Sequence, residues 1–202
     1  MGGWGEIGMP ELSRAMHIVI DMQRIFADHP DWAVKDIGRI RKEVTWLAEH
    51  RPGRTFWTRF IPAQNAAAAK GSWRKYYEQW PGATLDGGGA EYVDLLLEHR
   101  TLAGKAGIFD KSTFSAFGSE KFVAALQSAG IETLILSGVE TDVCVWATAL
   151  DAIDAGYFVV LARDALTSGT PEAHQALLDV IAPRFAPQVT VMNHGELEAA
   201  WK

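Results

Sequence analysis

Apolar positions along the 202-residue chain fall into short runs separated by longer stretches with a different period. Runs rich in β-branched and other apolar residues near 16–20, 54–57, 107–109, 133–136, 157–161 and 189–192 predict six strands. Between them, apolar residues recur at spacings of three and four, which predicts helices over 34–50, 92–97, 119–129, 143–156, 171–181 and 195–201. Strand and helix alternating in this way predict one α/β domain of three layers, α/β/α, around a mainly parallel six-stranded sheet. Residues 1–15 read as an N-terminal extension and 16–202 as the domain. Gly130 and Gly156 fit helix C-termini, and Thr170-Pro171 fits an N-cap followed by proline in the first turn.

Residues 60–90 break the alternation. Pro62, Pro81, the run Gly87-Gly88-Gly89 and the aromatic side chains Trp73, Tyr76, Tyr77 and Trp80 make a long connection for a compact α/β domain. Such a segment serves as a lid, over its own subunit's site or a neighbour's, or as an oligomer contact. A homo-oligomer, dimer or tetramer, is therefore expected.

A hydrophobic content of 48% is enough for a sizeable core, and a net charge of −6 disfavours nucleic-acid partners and points to small molecules. The single cysteine excludes an internal disulfide and a multi-thiol zinc site, which suits a reducing compartment. No secretory leader is legible at the start, and no apolar run is long enough to span a bilayer, so a cytoplasmic protein with no membrane partner is expected. The glycine pattern from Gly3 to Gly8 spells a dinucleotide-binding motif but precedes the first strand instead of following it, so it is discounted.

In open parallel sheets, ligands gather outside the carboxyl ends of the strands. Asp21 follows the first predicted strand, Lys111 the third, and Cys144 the fourth across the turn 137–143. A carboxylate, an ammonium and a thiol brought together would supply a base, a charge-stabilising group and a nucleophile. Each has an ordinary alternative: a helix cap for Asp21, a solvated surface for Lys111, core filling for Cys144. A helix start at Cys144 would favour thiolate, and its free N–H groups could hold an oxyanion. His174, on the helix opened by Thr170-Pro171, reads as a packing or capping residue.

Three pieces together, Ile20-Asp21-Met22-Gln23-Arg24-Ile25-Phe26, Asp110-Lys111-Ser112-Thr113-Phe114-Ser115-Ala116-Phe117 and Ser137-Gly138-Val139-Glu140-Thr141-Asp142-Val143-Cys144, resemble the isochorismatase-like cysteine hydrolases. That family includes nicotinamidases, N-carbamoylsarcosine amidohydrolase and biuret hydrolase. The resemblance implies a triad of Cys144, Asp21 and Lys111, a cis peptide between Val139 and Glu140, and an oxyanion hole made by the backbone N–H groups of Glu140 and Cys144. It implies hydrolysis of a C–N bond in a small amide, carbamoyl or ureido compound through a thioester. Lys111 would hold Asp21 in place and favour negative charge on it and on the sulfur.

The chain departs from the nicotinamidase pattern after the second strand. Thr58-Arg59-Phe60-Ile61-Pro62 puts Phe60 and Pro62 where the first two metal ligands would stand, and no histidine occurs between His50 and His99. Neither ring can ligate a metal, so no metal and no other cofactor is expected. Gln23, Phe26, Trp57, Arg59, Phe60 and Phe114 flank the expected site as candidate pocket residues. Arg59 could grip a carboxylate or be solvated, and Trp57 and Phe114 could belong to the core. Two alternatives stand beside the amidohydrolase: vinyl ether cleavage of the isochorismatase type, and a non-catalytic small-molecule binder or thiol redox sensor.

Overall fold

The computed structural model describes residues 12–51, 53–104 and 107–202. Of the expected N-terminal extension, residues 1–11 lie outside the described residues, and Ala15 already belongs to the first strand. The strands are β1 (Ala15–Ile20), β2 (Thr55–Phe60), β3 (Ile108–Lys111), β4 (Thr133–Gly138), β5 (Phe158–Leu166) and β6 (Val189–Met192). The helices are α1 (Ile37–His50), α2 (Trp73–Gln79), α3 (Leu97–Ala103), α4 (Glu120–Ala129), α5 (Trp146–Asp154), α6 (Pro171–Ala176) and α7 (His194–Ala200). All strand pairs are parallel, in the order β3-β2-β1-β4-β5-β6.

Two-residue periodicity sorts the central strands between two apolar layers. Val19, Ile135 and Val160 face one layer, where Ile40, Val44 and Leu47 of α1 and Leu197 of α7 cover them. Ile18, Leu134, Leu136, Val159 and Leu161 face the other, against Phe122 and Leu126 of α4 and Ala149 and Ala152 of α5. Each fully buried aliphatic side chain stabilises this sandwich by about 1.5–3 kcal/mol. Both faces are covered, so the central strands read as continuous apolar runs with little alternation.

Two departures from the expected elements have local causes. In place of a helix over 92–97, the chain makes a short 3-10 turn at Gly89–Tyr92, and α3 begins only at Leu97. Leu95 and Leu96 are buried in the core, and Leu95 bridges to Gln23. The apolar run thus packs as extended chain, and the helix starts where Leu97 turns to solvent. The second departure is α2, a helix inside the 60–90 segment. Its residues Trp73, Tyr76 and Tyr77 pack on one another, and Trp73 also meets Phe60.

His17 sits on β1, wholly buried, with Nε2 2.7 Å from Ser137 Oγ and Nδ1 3.3 Å from Thr55 Oγ1. Burial, helped by His99, lowers its pKa from 6.5 to about 3. The unfolded chain therefore gains a proton near pH 6.5 that the folded chain refuses until about pH 3. Stability contributed by neutral His17 is fully present above pH 6.5 and is lost as pH falls toward 3. We expect this residue to remove about 1.4 kcal/mol per pH unit, roughly 2 kcal/mol between pH 6.5 and 5. Urea denaturation at the two pH values, compared with His17→Gln, measures it; an equal pH slope in the variant refutes it.

Candidate active site

The strand order places a switch point at β1 and β4: the chain winds outward from β1 through β2 to β3, then returns to β4 on the other side. Crevices open at such points, outside the carboxyl ends of the strands. Asp21 leaves the end of β1, Lys111 ends β3, and Cys144 lies in a wide π-type turn, Thr141–Val145, between β4 and α5. Asp21 has a left-handed backbone, φ 51, a conformation that Asp tolerates better than most residues. β1 and β4 approach so closely here that a Cβ on Gly138, φ 104, would lie 2.0 Å from the Ile20 carbonyl oxygen.

These turns bring three side chains together. Lys111 Nζ donates to Asp21 Oδ2 at 2.6 Å and to the Thr113 carbonyl at 3.0 Å. Both members of the Asp21–Lys111 pair are fully shielded from solvent. The Thr58 hydroxyl donates to Asp21 Oδ1 at 2.7 Å, while the Asp21 N–H donates to Thr58 Oγ1 at 3.2 Å. Both carboxylate oxygens are thus held, one by an ammonium and one by a hydroxyl. Burial pushes the Cys144 thiol above its ordinary range; Lys111 opposes this, and Asp21 adds to it through charge and hydrogen bonding. Burial thus works against the thiolate that a helix start by itself would favour.

The Val139–Glu140 peptide is cis, and the Glu140 N–H has no hydrogen-bond acceptor among the described residues. The Glu140 carboxylate accepts from the Gly169 N–H at 2.7 Å and from the Ser168 hydroxyl at 3.3 Å. Thr141 Oγ1 bonds to the Thr167 carbonyl and lies 2.8 Å from Nδ1 of His174, which makes His174 a buttress of the turn.

A cavity of about 290 Å³ opens onto Cys144, small enough to suit a ligand below drug size. Of the six candidate pocket residues, Phe26, Phe60 and Phe114 line it. The other three do not. Gln23 is wholly buried and clamps the end of β2, bonding to both the N–H and the carbonyl of Phe60. Trp57 packs in the core against His99. Arg59 points to the opposite face of the sheet, because adjacent strand residues alternate, and pairs there with Asp110 at 2.7 Å and Asp94 at 3.0 Å. It neither faces the cavity nor stands free in solvent. The remaining wall includes Asp31 and Trp32, which lie outside the expected elements, and Val34 and Val143, which stand at the starts of the expected helices over 34–50 and 143–156. Tyr76 of α2 reaches the cavity too and packs at a tilt against Trp32, 5.9 Å between centroids, so the 60–90 segment covers the site of its own subunit.

Among the described residues, no group of three or more His, Cys, Asp or Glu side chains is placed to hold a metal ion. At the end of β2 the chain offers Phe60, whose ring lies 5.2 Å from Lys111 Nζ, and not a donor. The residues present do not fit the metal centre of the nicotinamidase branch.

The isochorismatase domain model matches residues 15–192. A probable inactive nicotinamidase of Arabidopsis thaliana is 37% identical over 94 residues, 46% of this chain and 46% of that protein. A ureidoacrylate amidohydrolase of Pseudomonas syringae pv. syringae is 35% identical over 86 residues, 43% of this chain and 30% of that protein. The alignments thus span less than half the length of these curated relatives. A cysteine hydrolase from Pseudomonas syringae pv. phaseolicola shares the fold with a TM-score of 0.73 at 20% identity, covering 93% of this chain and 92% of that one.

Proposed function

We propose that this chain, which belongs to the isochorismatase family, hydrolyses a C–N bond of a small amide, carbamoyl or ureido compound without a metal. The observation that carries the reading is the shielded Asp21–Lys111 pair at 2.6 Å beside the only cysteine, on the floor of a small cavity. In this reading Asp21 takes the thiol proton as the sulfur attacks the carbonyl, which matters because a raised thiol supplies little thiolate by itself. The N–H groups of Glu140 and Cys144 would hold the oxyanion. The proton on Asp21 then passes to the departing nitrogen, leaving a thioester on Cys144. Water adds to that thioester, Asp21 takes its proton, and the acid leaves as the thiol is restored. Lys111 holds the carboxylate in position throughout.

A buried thiol pushed upward runs against the redox-sensor alternative, since sensor cysteines are exposed and thiolate-rich. A dimer or tetramer belongs to the same proposal, with exposed Leu97 and Leu102 of α3 available for contact. No described helix is long and apolar enough to cross a membrane. Ammonia release across a panel of small amides, carbamoyl and ureido compounds tests the reaction, with a vinyl ether as comparator. We expect turnover of at least one C–N substrate and none of the ether, unchanged after exhaustive chelation; ether cleavage alone would overturn the assignment.

A further inference from the structure

Two charged side chains line the cavity over Cys144, Asp31 and Glu140, and both are acidic. Glu140 is engaged by neutral donors, the Ser168 hydroxyl and the Gly169 N–H, so its charge is not offset by a cation. Asp31 is exposed and enters no ion pair among the described residues. No Lys or Arg is among the residues lining the cavity: Lys111 pairs with Asp21, Arg59 with Asp94 and Asp110, and Arg39 donates to the Leu166 carbonyl. Five of the other eleven lining residues are aromatic: Phe26, Trp32, Phe60, Tyr76 and Phe114.

Ring faces and uncompensated carboxylates attract an alkylammonium and repel a carboxylate. We infer that the cavity selects amides whose far end carries a positive charge, takes neutral ones less well, and rejects those bearing a carboxylate. This rests on the proposed hydrolysis for its substrate, but the charge preference belongs to the cavity itself and can be read without turnover.

The single cysteine makes a direct readout possible. Three methanethiosulfonate reagents, ending in trimethylammonium, methyl or sulfonate, each convert the Cys144 thiol to a mixed disulfide with release of methanesulfinate. Rates are followed by mass and divided by those of the same reagents on 2-mercaptoethanol. The trimethylammonium reagent is expected to react at least about thirtyfold faster than the sulfonate, with the neutral one between. Asp31→Asn should lower that ratio about fivefold, and Asp31→Lys should lower it further. In parallel, kcat/KM should fall in the order 4-(trimethylammonio)butanamide, pentanamide, succinamate, with about tenfold or more between the last two.

Equal rates for the cationic and anionic reagents, or a ratio unmoved by both Asp31 variants, would overturn the inference. If the reagent ratio holds while no amide is turned over, hydrolysis is refuted and the charge preference stands. If succinamate is the best substrate, hydrolysis stands and the charge preference is refuted.

Discussion

Asp21→Asn is expected to lower kcat/KM by about a thousandfold or more, and Cys144→Ala to lower it to the buffer rate. Asparagine keeps the shape of the side chain, and with its amide oxygen toward Lys111 Nζ its NH2 can donate to the Thr58 hydroxyl, so one bond to each neighbour is retained. It cannot accept the thiol proton. That loss is severe because the Cys144 thiol is pushed upward by burial, leaving little spontaneous thiolate near neutral pH. A second consequence separates a proton-transfer role from a packing role. Burial, Asp21 and Glu140 raise the thiol while Lys111 lowers it, so removing the Asp21 carboxylate takes away one of the opposing causes and shifts the balance toward Lys111. Alkylation of Cys144 by iodoacetamide should then become faster in Asp21→Asn and extend to lower pH, while turnover collapses. Steady-state kinetics beside alkylation rates across pH checks both; more than a tenth of wild-type turnover in Asp21→Asn would remove Asp21 from the chemistry.

Lys111→Met should destabilise the fold by about 3–5 kcal/mol, because it leaves the Asp21 carboxylate buried without its cation. Neither side chain of the pair has exposed surface through which water could compensate. The double variant Asp21→Asn, Lys111→Met removes both charges with little change in volume, and most of the loss should return. Urea denaturation of the wild type, both single variants and the double variant gives the coupling directly. Stability within about 1 kcal/mol of wild type in Lys111→Met would mean that Asp21 is not held as a charged partner in the folded chain. The double variant should be folded and inactive, which separates the pair's part in folding from its part in turnover.

The order of strands and helices was legible because central strands of a covered parallel sheet must be apolar throughout, and helices on its faces must be apolar every third or fourth residue. β1 and β4 meet the first demand apart from the buried polar residues His17, Thr133 and Ser137, and α1, α4 and α5 meet the second. Asp21, Lys111 and Cys144 were legible as candidates for the same reason, since each follows or ends such a strand. The missed helix α2 lies where aromatic residues pack on Phe60 and on one another, and its apolar surface faces the cavity cover instead of the sheet. Thr58 was legible only in hindsight, as a hydroxyl near the end of β2 that points at Asp21.

Linear spacing thus carries which elements form, how they alternate and which ends bear reactive groups, because those properties depend on neighbours a few residues away. The direction of the Cys144 thiol shift, the diversion of Arg59 to Asp94 and Asp110, the burial of Gln23 and Trp57, and the acidic, aromatic lining of the cavity were decided by the tertiary structure. Burial, facing and charge pairing depend on residues tens of positions apart in the chain, and only the packed sheet brings those residues to one place.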